Sequence, residues 1–136
     1  MPNAVLASDL TIRQAAAALG VSAHTLRYYE REGLVSVPRQ ASGERLYSAL
    51  ALQRLKFLIH LRGTGMNMQG LREYVALVEQ GEDTLAERLE LLRQHEQAVM
   101  HQLEELEKHL VGIRHKIANY DRICQKHDQM CQKETA

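Results

Sequence analysis

The sequence has no tryptophan and a single phenylalanine, and aromatic residues make up only 4% of it. It therefore lacks the bulky side chains that fill a large single core. At 136 residues there is room for one compact domain, or a small domain with an extended element, but not for two full cores. Burial against a partner is the expectation that follows. No stretch approaches the roughly 18 apolar residues of a membrane span, and Met1 to Leu10 has neither the basic start nor the apolar centre of a secretory signal. The expected place is the cytoplasm, with no membrane partner. Only two cysteines are present, Cys124 and Cys131, which excludes the disulfide framework of a small secreted fold. A phosphate-binding glycine loop, a strand-borne carboxylate pair and a pocket-sized second domain are all missing, so an enzyme is not expected.

Net charge is missing as well, because seventeen basic and seventeen acidic residues cancel. Their distribution is informative. Through Gln80 there are nine Lys or Arg against six Asp or Glu, and after it eight against eleven. A basic first part and an acidic second part suit a nucleic-acid contact made by the first.

The punctuation divides the chain further. Thr11 with Gln14 three residues later is a capping-box signature, and Ile12, Ala15, Ala16 and Leu19 repeat at helical spacing until Gly20. Ser22 is placed to cap a second helix that carries Leu26 and Tyr29 inward and stops at Gly33. Two short helices across a glycine-containing turn predict a helix-turn-helix. From Leu34 to Tyr47 the helical period disappears: Val35 and Val37 alternate, Pro38 blocks helix, and Ser42-Gly43 can turn the chain before Arg45, Leu46 and Tyr47, which predicts a β-hairpin wing. Ser48 caps a third helix with a stripe of Leu52, Leu55, Leu58 and Ile59, and a fourth runs from Asn67 to Gln80.

A second capping box, Thr84 with Glu87, opens a run free of Gly until Gly112 and free of Pro throughout. Within it Leu85, Leu89, Leu92, Glu96, Val99, Leu103, Leu106, Leu110, Ile113, Ile117 and Tyr120 alternate spacings of four and three without a slip, which is a heptad seam. At 1.5 Å per residue the helix would reach roughly 50 Å, more than a head this small can cover, so homodimerisation through the seam is expected. Glu96 is the one charged residue in the apolar row, and a polar residue there can set register or orientation. The fold class expected is all-α with a small β wing: residues 1–81 a winged helix-turn-helix, 82–123 a dimerisation helix, 124–136 a tail.

The residues Leu26, Arg27, Tyr28, Tyr29 and Glu30, then Gly33 and Leu34, then Arg45, Leu46 and Tyr47, and later Leu61 to Met66, resemble the MerR family of transcription regulators in that order. The resemblance covers the chain to Tyr120, and its lack of a further domain is similar to the short, aldehyde-responsive branch. It implies an antiparallel coiled coil and a dimer that binds double-stranded promoter DNA. It also implies activation, in which an overlong spacer is bent and untwisted so that RNA polymerase engages both promoter elements. Where that branch is thought to use a reactive cysteine on the third helix, this chain has His60.

With the second helix as recognition helix, His24, Thr25, Arg27 and Tyr28 are expected at the major groove. Arg39, Arg45 and Tyr47 on the wing, and Arg13, Lys56 and Arg62 around the first and third helices, are expected on phosphates. Metal-sensing members of the family carry cysteine ligands after the dimer helix, so Cys124, His127 and Cys131 form a candidate site for a metal ion or a thiol redox signal. The competing reading continues the heptad through the same three residues as modest hydrophobes, seven residues and about 10.5 Å separating the two thiols on a helix. A different class of function, a DNA-anchored adaptor whose coiled coil recruits another protein, is the alternative to a regulator.

Overall fold

The computed structural model describes residues 9–127. In chain order the elements are β1 (Leu10–Thr11), α1 (Ile12–Leu19), α2 (Ala23–Arg31), β2 (Leu46–Tyr47), α3 (Ala49–Gly63), α4 (Met68–Glu79), a 3-10 turn (Glu82–Thr84) and α5 (Leu85–Lys126). Two compact units result, the first ending at Arg93 and the second beginning at Gln94.

Local chemistry sets the helix ends of the first unit. Thr11 and Gln14 form the reciprocal capping box, and Gly20 closes α1 in the left-handed region with φ 71°, where its N–H donates to the Ala16 carbonyl. Ser22, Ser48 and Asn67 each accept a backbone N–H three residues on and so begin α2, α3 and α4. The connection between α1 and α2 is thus short and capped at both ends, which fixes the angle of the helix-turn-helix.

The core gathers one face from each of these elements: Ala15, Leu26, Leu34, Tyr47, Leu55, Leu58 and Leu71 are wholly inaccessible. Each buried leucine contributes roughly 1.5–3 kcal/mol of transfer free energy. On α3 the buried set is Ala51, Leu55, Leu58 and Leu61, while Leu52 and Ile59 pack only partly, so the core-facing stripe is rotated slightly from the expected one.

Three boundaries differ from the sequence expectation. The Thr84–Glu87 capping box does not form; Thr84 lies in the 3-10 turn, buried, with its hydroxyl directed at the carbonyl oxygens of Leu77 (2.5 Å) and Gly81 (2.8 Å). Arg88 Nε donates to the same hydroxyl at 2.9 Å and its Nη2 donates to the Gly81 carbonyl. This clasp of three residues ties the first turn of α5 to the end of α4. Leu91 and Leu92 pack against the core, which is why the first compact unit extends to Arg93 and not to 81. Finally, α5 continues to Lys126, beyond the expected 123, and His127 is already a turn.

In the second unit no residue of α5 is buried, and Leu103, Leu106, Leu110, Ile113, Ile117 and Tyr120 stand 40–64% exposed. The seam is therefore uncovered from Leu103 to Tyr120. For the clasp, Thr84→Val keeps the shape but removes the hydroxyl, leaving Arg88 Nε short of its acceptor and the Leu77 carbonyl short of its side-chain donor. The expected cost is about 1–3 kcal/mol in urea unfolding, and a change within about 0.3 kcal/mol would show that the clasp contributes nothing.

Candidate nucleic-acid interface

On α2 the periodicity that buries Leu26 and Tyr29 turns His24, Arg27 and Tyr28 outward. Thr25 is half-buried; its N–H donates to Ser22 Oγ at 3.1 Å and the two hydroxyl oxygens lie 3.0 Å apart, so it also serves the cap. Arg31, which the sequence reading passed over, lies with its guanidinium 5.8 Å from the Tyr28 ring centre, and Tyr28 meets Tyr29 edge-on at 6.3 Å. The ring of Tyr28 is thereby held between a cation and a core tyrosine.

The wing is a hairpin as expected: Arg39 bridges Arg45, Gln40 N–H donates to the Glu44 carbonyl at 2.8 Å, and Gly43 turns with φ 88°. Its anchoring was not legible in the sequence. Leu46–Tyr47 leaves the hairpin to pair antiparallel with Leu10–Thr11, Leu10 opposite Tyr47 and Thr11 opposite Leu46. Val35 and Val37 are both buried, so the rising side of the wing is fastened to the core too.

Tyr47 departs from the expectation of a surface hydroxyl. Its side chain is wholly buried, and its oxygen has no hydrogen-bond partner. Alternation along the strand explains the difference, since Leu46 stays half exposed and its neighbour Tyr47 turns to the opposite face, into the core. Burial pushes the Tyr47 hydroxyl above the usual tyrosine range and Glu30 adds to it, while Arg45, Arg27 and Arg39 pull the other way. Three expected DNA-contacting arginines from two elements thus act electrostatically on one tyrosine.

Glu30 is the residue that sequence reasoning missed here. Its carboxylate accepts from Arg45 Nε at 2.5 Å with both side chains mostly shielded, which joins the wing to the end of α2. Glu32, one step on, pairs with Arg72 of α4. The recognition helix is held at its C-terminal end from two sides. A signal existed in the chain: two acidic residues near the end of a helix oppose its dipole and call for cations from elsewhere. Among the described residues Arg27 and Arg39 take part in no ion pair, so their charge is available to a polyanion.

Arg13 is exposed on the first turn of α1, Lys56 and Arg62 are exposed on α3, and the Arg62 Nη1 lies 3.4 Å from the Met66 carbonyl. His60 lines a recess of about 170 Å³ with Ala18, Leu19, Lys56 and Ile59. Cys124 is disulfide-bonded, and α5 ends two residues later, so the heptad does not carry on as helix to His127. Cys131 lies outside the described residues.

Capped helix-turn-helix, clipped wing, two further helices and a long apolar-striped helix define a winged helix-turn-helix regulator. The model of the MerR HTH family regulatory protein matches residues 10–77 and that of the MerR DNA-binding region matches residues 52–116, and the chain belongs to this family. An HTH-type transcriptional regulator of Haemophilus influenzae is 39% identical over 80 residues, 58% of this chain and 59% of that protein. The match spans about three fifths of the length of such curated relatives. Among solved structures, HiNmlR, a MerR family regulator lacking the sensor domain and bound to promoter DNA, is similar with a TM-score of 0.76 and 35% identity, over 84% of this chain and 91% of that one. A MerR family transcriptional regulator from Listeria monocytogenes reaches 0.79 and 34%, over 93% and 99%. The family is one of transcriptional regulators and not of enzymes. No helix among the described residues is long and apolar enough to cross a membrane.

Two substitutions test this interface. Glu30→Gln releases Arg45 from its carboxylate. Nonspecific duplex DNA should then bind more tightly, with a salt dependence steeper by about one ion, while stability falls by no more than about 1 kcal/mol. An unchanged salt slope would mean that Arg45 stays where it is without Glu30. Tyr47→Phe removes a buried hydroxyl that has no partner, so stability at neutral pH should hold or rise by about 1 kcal/mol. The raised pKa adds a sign: stability is fully present below the unfolded tyrosine value of about 10 and is lost as pH rises through the higher folded value. Urea titrations on both sides of that range should show the alkaline loss shrinking in Tyr47→Phe.

Proposed function

We propose that the chain is a cytoplasmic, nucleoid-associated regulator that binds promoter DNA as a homodimer. It activates transcription by distorting an overlong spacer in response to a signal. The observation that carries the reading is the outward face of α2, where His24, Arg27 and Tyr28 stand beside the arginines of a wing clipped to the same core. Such a face presents bidentate and hydroxyl donors at groove width, and the wing cations suit flanking phosphates. The promoter-bound relative HiNmlR supports the choice of DNA, and the uncovered seam of α5 supports the pairing. Two heads on one dimer would bind half-sites related by two-fold symmetry. The twist between the half-sites then becomes the variable that a signal adjusts, with RNA polymerase as the reader.

The test is anisotropy with the protein's own upstream promoter and with a scrambled duplex, at two salt concentrations. Arg27→Ala should cost about 1–3 kcal/mol on the promoter and narrow its margin over the scrambled duplex. Equal loss on both would reduce Arg27 to a phosphate contact. Binding without preference, together with a stable complex with another protein, would favour the adaptor.

A specific observation favours a thiol redox signal over a metal in the tail. Cys124 is already disulfide-bonded, and a disulfide sulfur is not a thiolate ligand. In this reading the Cys124 and Cys131 thiols lose two protons and two electrons to a disulfide or peroxide oxidant, and a thiol reductant reverses the step. Transcription with purified polymerase, with oxidant, Cu⁺, Zn²⁺ or an aldehyde added, should respond to oxidant alone. Replacing both cysteines with serine should abolish that response; one that survives the double substitution would place the sensor elsewhere.

A further inference from the structure

We propose that α5 pairs antiparallel with a second copy in one register, Leu103 opposite the partner's Leu106 and Leu89 opposite the partner's Tyr120, and that Glu96 selects this register by meeting the partner's Arg114. The inference rests on the homodimer reading above and on the antiparallel coiled coil that the family resemblance implies, and adds the alignment of the two helices to it.

The seam runs in alternating steps of four and three, so every seam residue belongs to one of two columns. In an antiparallel pair each layer joins a residue of one column with a residue of the other, and each knob enters a hole made by four residues spaced i, i+3, i+4 and i+7. Only alignments one heptad apart keep all layers apolar. The one that places Leu103 against the partner's Leu106 overlaps the seam from Leu89 to Tyr120, and the alignment one heptad away overlaps it equally, from Leu85 to Ile117, so apolar burial favours both and the charge at Glu96 decides between them.

In that alignment the hole that receives Glu96 is made by the partner's Leu110, the partner's Ile113, the partner's Arg114 and the partner's Ile117. The exposed carboxylate of Glu96 would enter an apolar seam, and the partner's Arg114 is the cation that compensates it. Arg114 has no acidic residue three or four positions away on its own helix, so its charge is not committed to an i,i+4 pair. The two-fold axis makes the contact twice.

Neighbouring alignments fail on charge. A slip of one heptad in one direction replaces the partner's Arg114 in the hole by the partner's Glu107, and in the other direction by the partner's Asp121. Either slip sets two carboxylates against each other. A parallel pair would set Glu96 against the partner's Glu96. The single charged residue of the seam is thus matched in one arrangement and repelled in the other three.

Reversing the charge reads the arrangement out through the sign of its effect. In Glu96→Arg the new guanidinium meets the partner's Arg114, with Arg93 one turn away on the same helix adding to the repulsion. Sedimentation equilibrium of the full chain should show a dissociation constant raised about tenfold or more. Adding Arg114→Glu in the same chain should return it to the wild-type value or below, and mixing the two single variants should yield heterodimers. A slipped register would make Glu96→Arg pair more tightly, and a parallel pair would leave it unchanged, so either result overturns the proposal. Failure of the double variant to recover would overturn it as well. Circular dichroism of the double variant guards against simple unfolding of Glu96→Arg. A wild-type chain that sediments as a monomer would instead overturn the homodimer reading itself.

Discussion

An apolar stripe that its own chain leaves uncovered is the constraint from which the rest follows. From Leu103 to Tyr120 the apolar seam residues are between four and a little over six tenths exposed, and no residue of α5 is buried. At about 25 cal/mol per Å² of apolar surface, leaving such a row in water forfeits several kcal/mol that pairing would recover. A small core then suffices for the head, because stability is shared with association. The scarcity of aromatic residues, a deficit for an isolated domain, fits the proposal that the chain completes itself against a copy.

Given two heads on one dimer, discrimination depends on how rigidly each head carries its reading elements. The wing has too few residues to hold a shape of its own. It is fixed instead by three dissimilar devices: the Leu46–Tyr47 pairing with Leu10–Thr11, the burial of Tyr47, Val35 and Val37, and the Arg45–Glu30 ion pair. Helix α2 is fixed at its start by Ser22 and at its end by Glu30 and Glu32. The clasp of Thr84, Gly81 and Arg88 extends the same rigidity to the first turn of α5. A distortion imposed on DNA needs this stiffness, since a soft head would bend in place of the duplex.

Much of this was legible in the sequence wherever the signal was local. Caps at Thr11, Ser22, Ser48 and Asn67, the left-handed Gly20 and the buried pair Leu26 and Tyr29 are written within one turn of where they act. What the sequence hid was long-range. Nothing near Leu10 announces a strand whose partner residue, Tyr47, is 37 residues away, and Glu30 reads as a surface carboxylate until Arg45 is folded onto it. Thr84 misled for a related reason: a capping box competes with a buried hydroxyl whose one proton is directed at the Leu77 and Gly81 carbonyls, and burial won. The fold class and the outward face of α2 survive such errors because both rest on period and not on pairing.

Charge neutrality, finally, is part of the design and not an argument against DNA. A strongly basic chain would bind any duplex through counterion release and gain little from one sequence over another. Here the excess of cations lies before Gln80 and the excess of acids after it. The nonspecific field of the whole molecule is therefore weak, and binding must draw on a few well-placed groups. Within the head the same economy recurs at closer range, where Glu30 neutralises Arg45 while Arg27 and Arg39 remain without an ion pair among the described residues. Removing one cation from the general attraction and using it to hold the wing trades affinity for geometry. That is the trade the proposed action through DNA shape would require, because the output of such a dimer would depend on where its two heads sit on the duplex more than on how tightly each one holds.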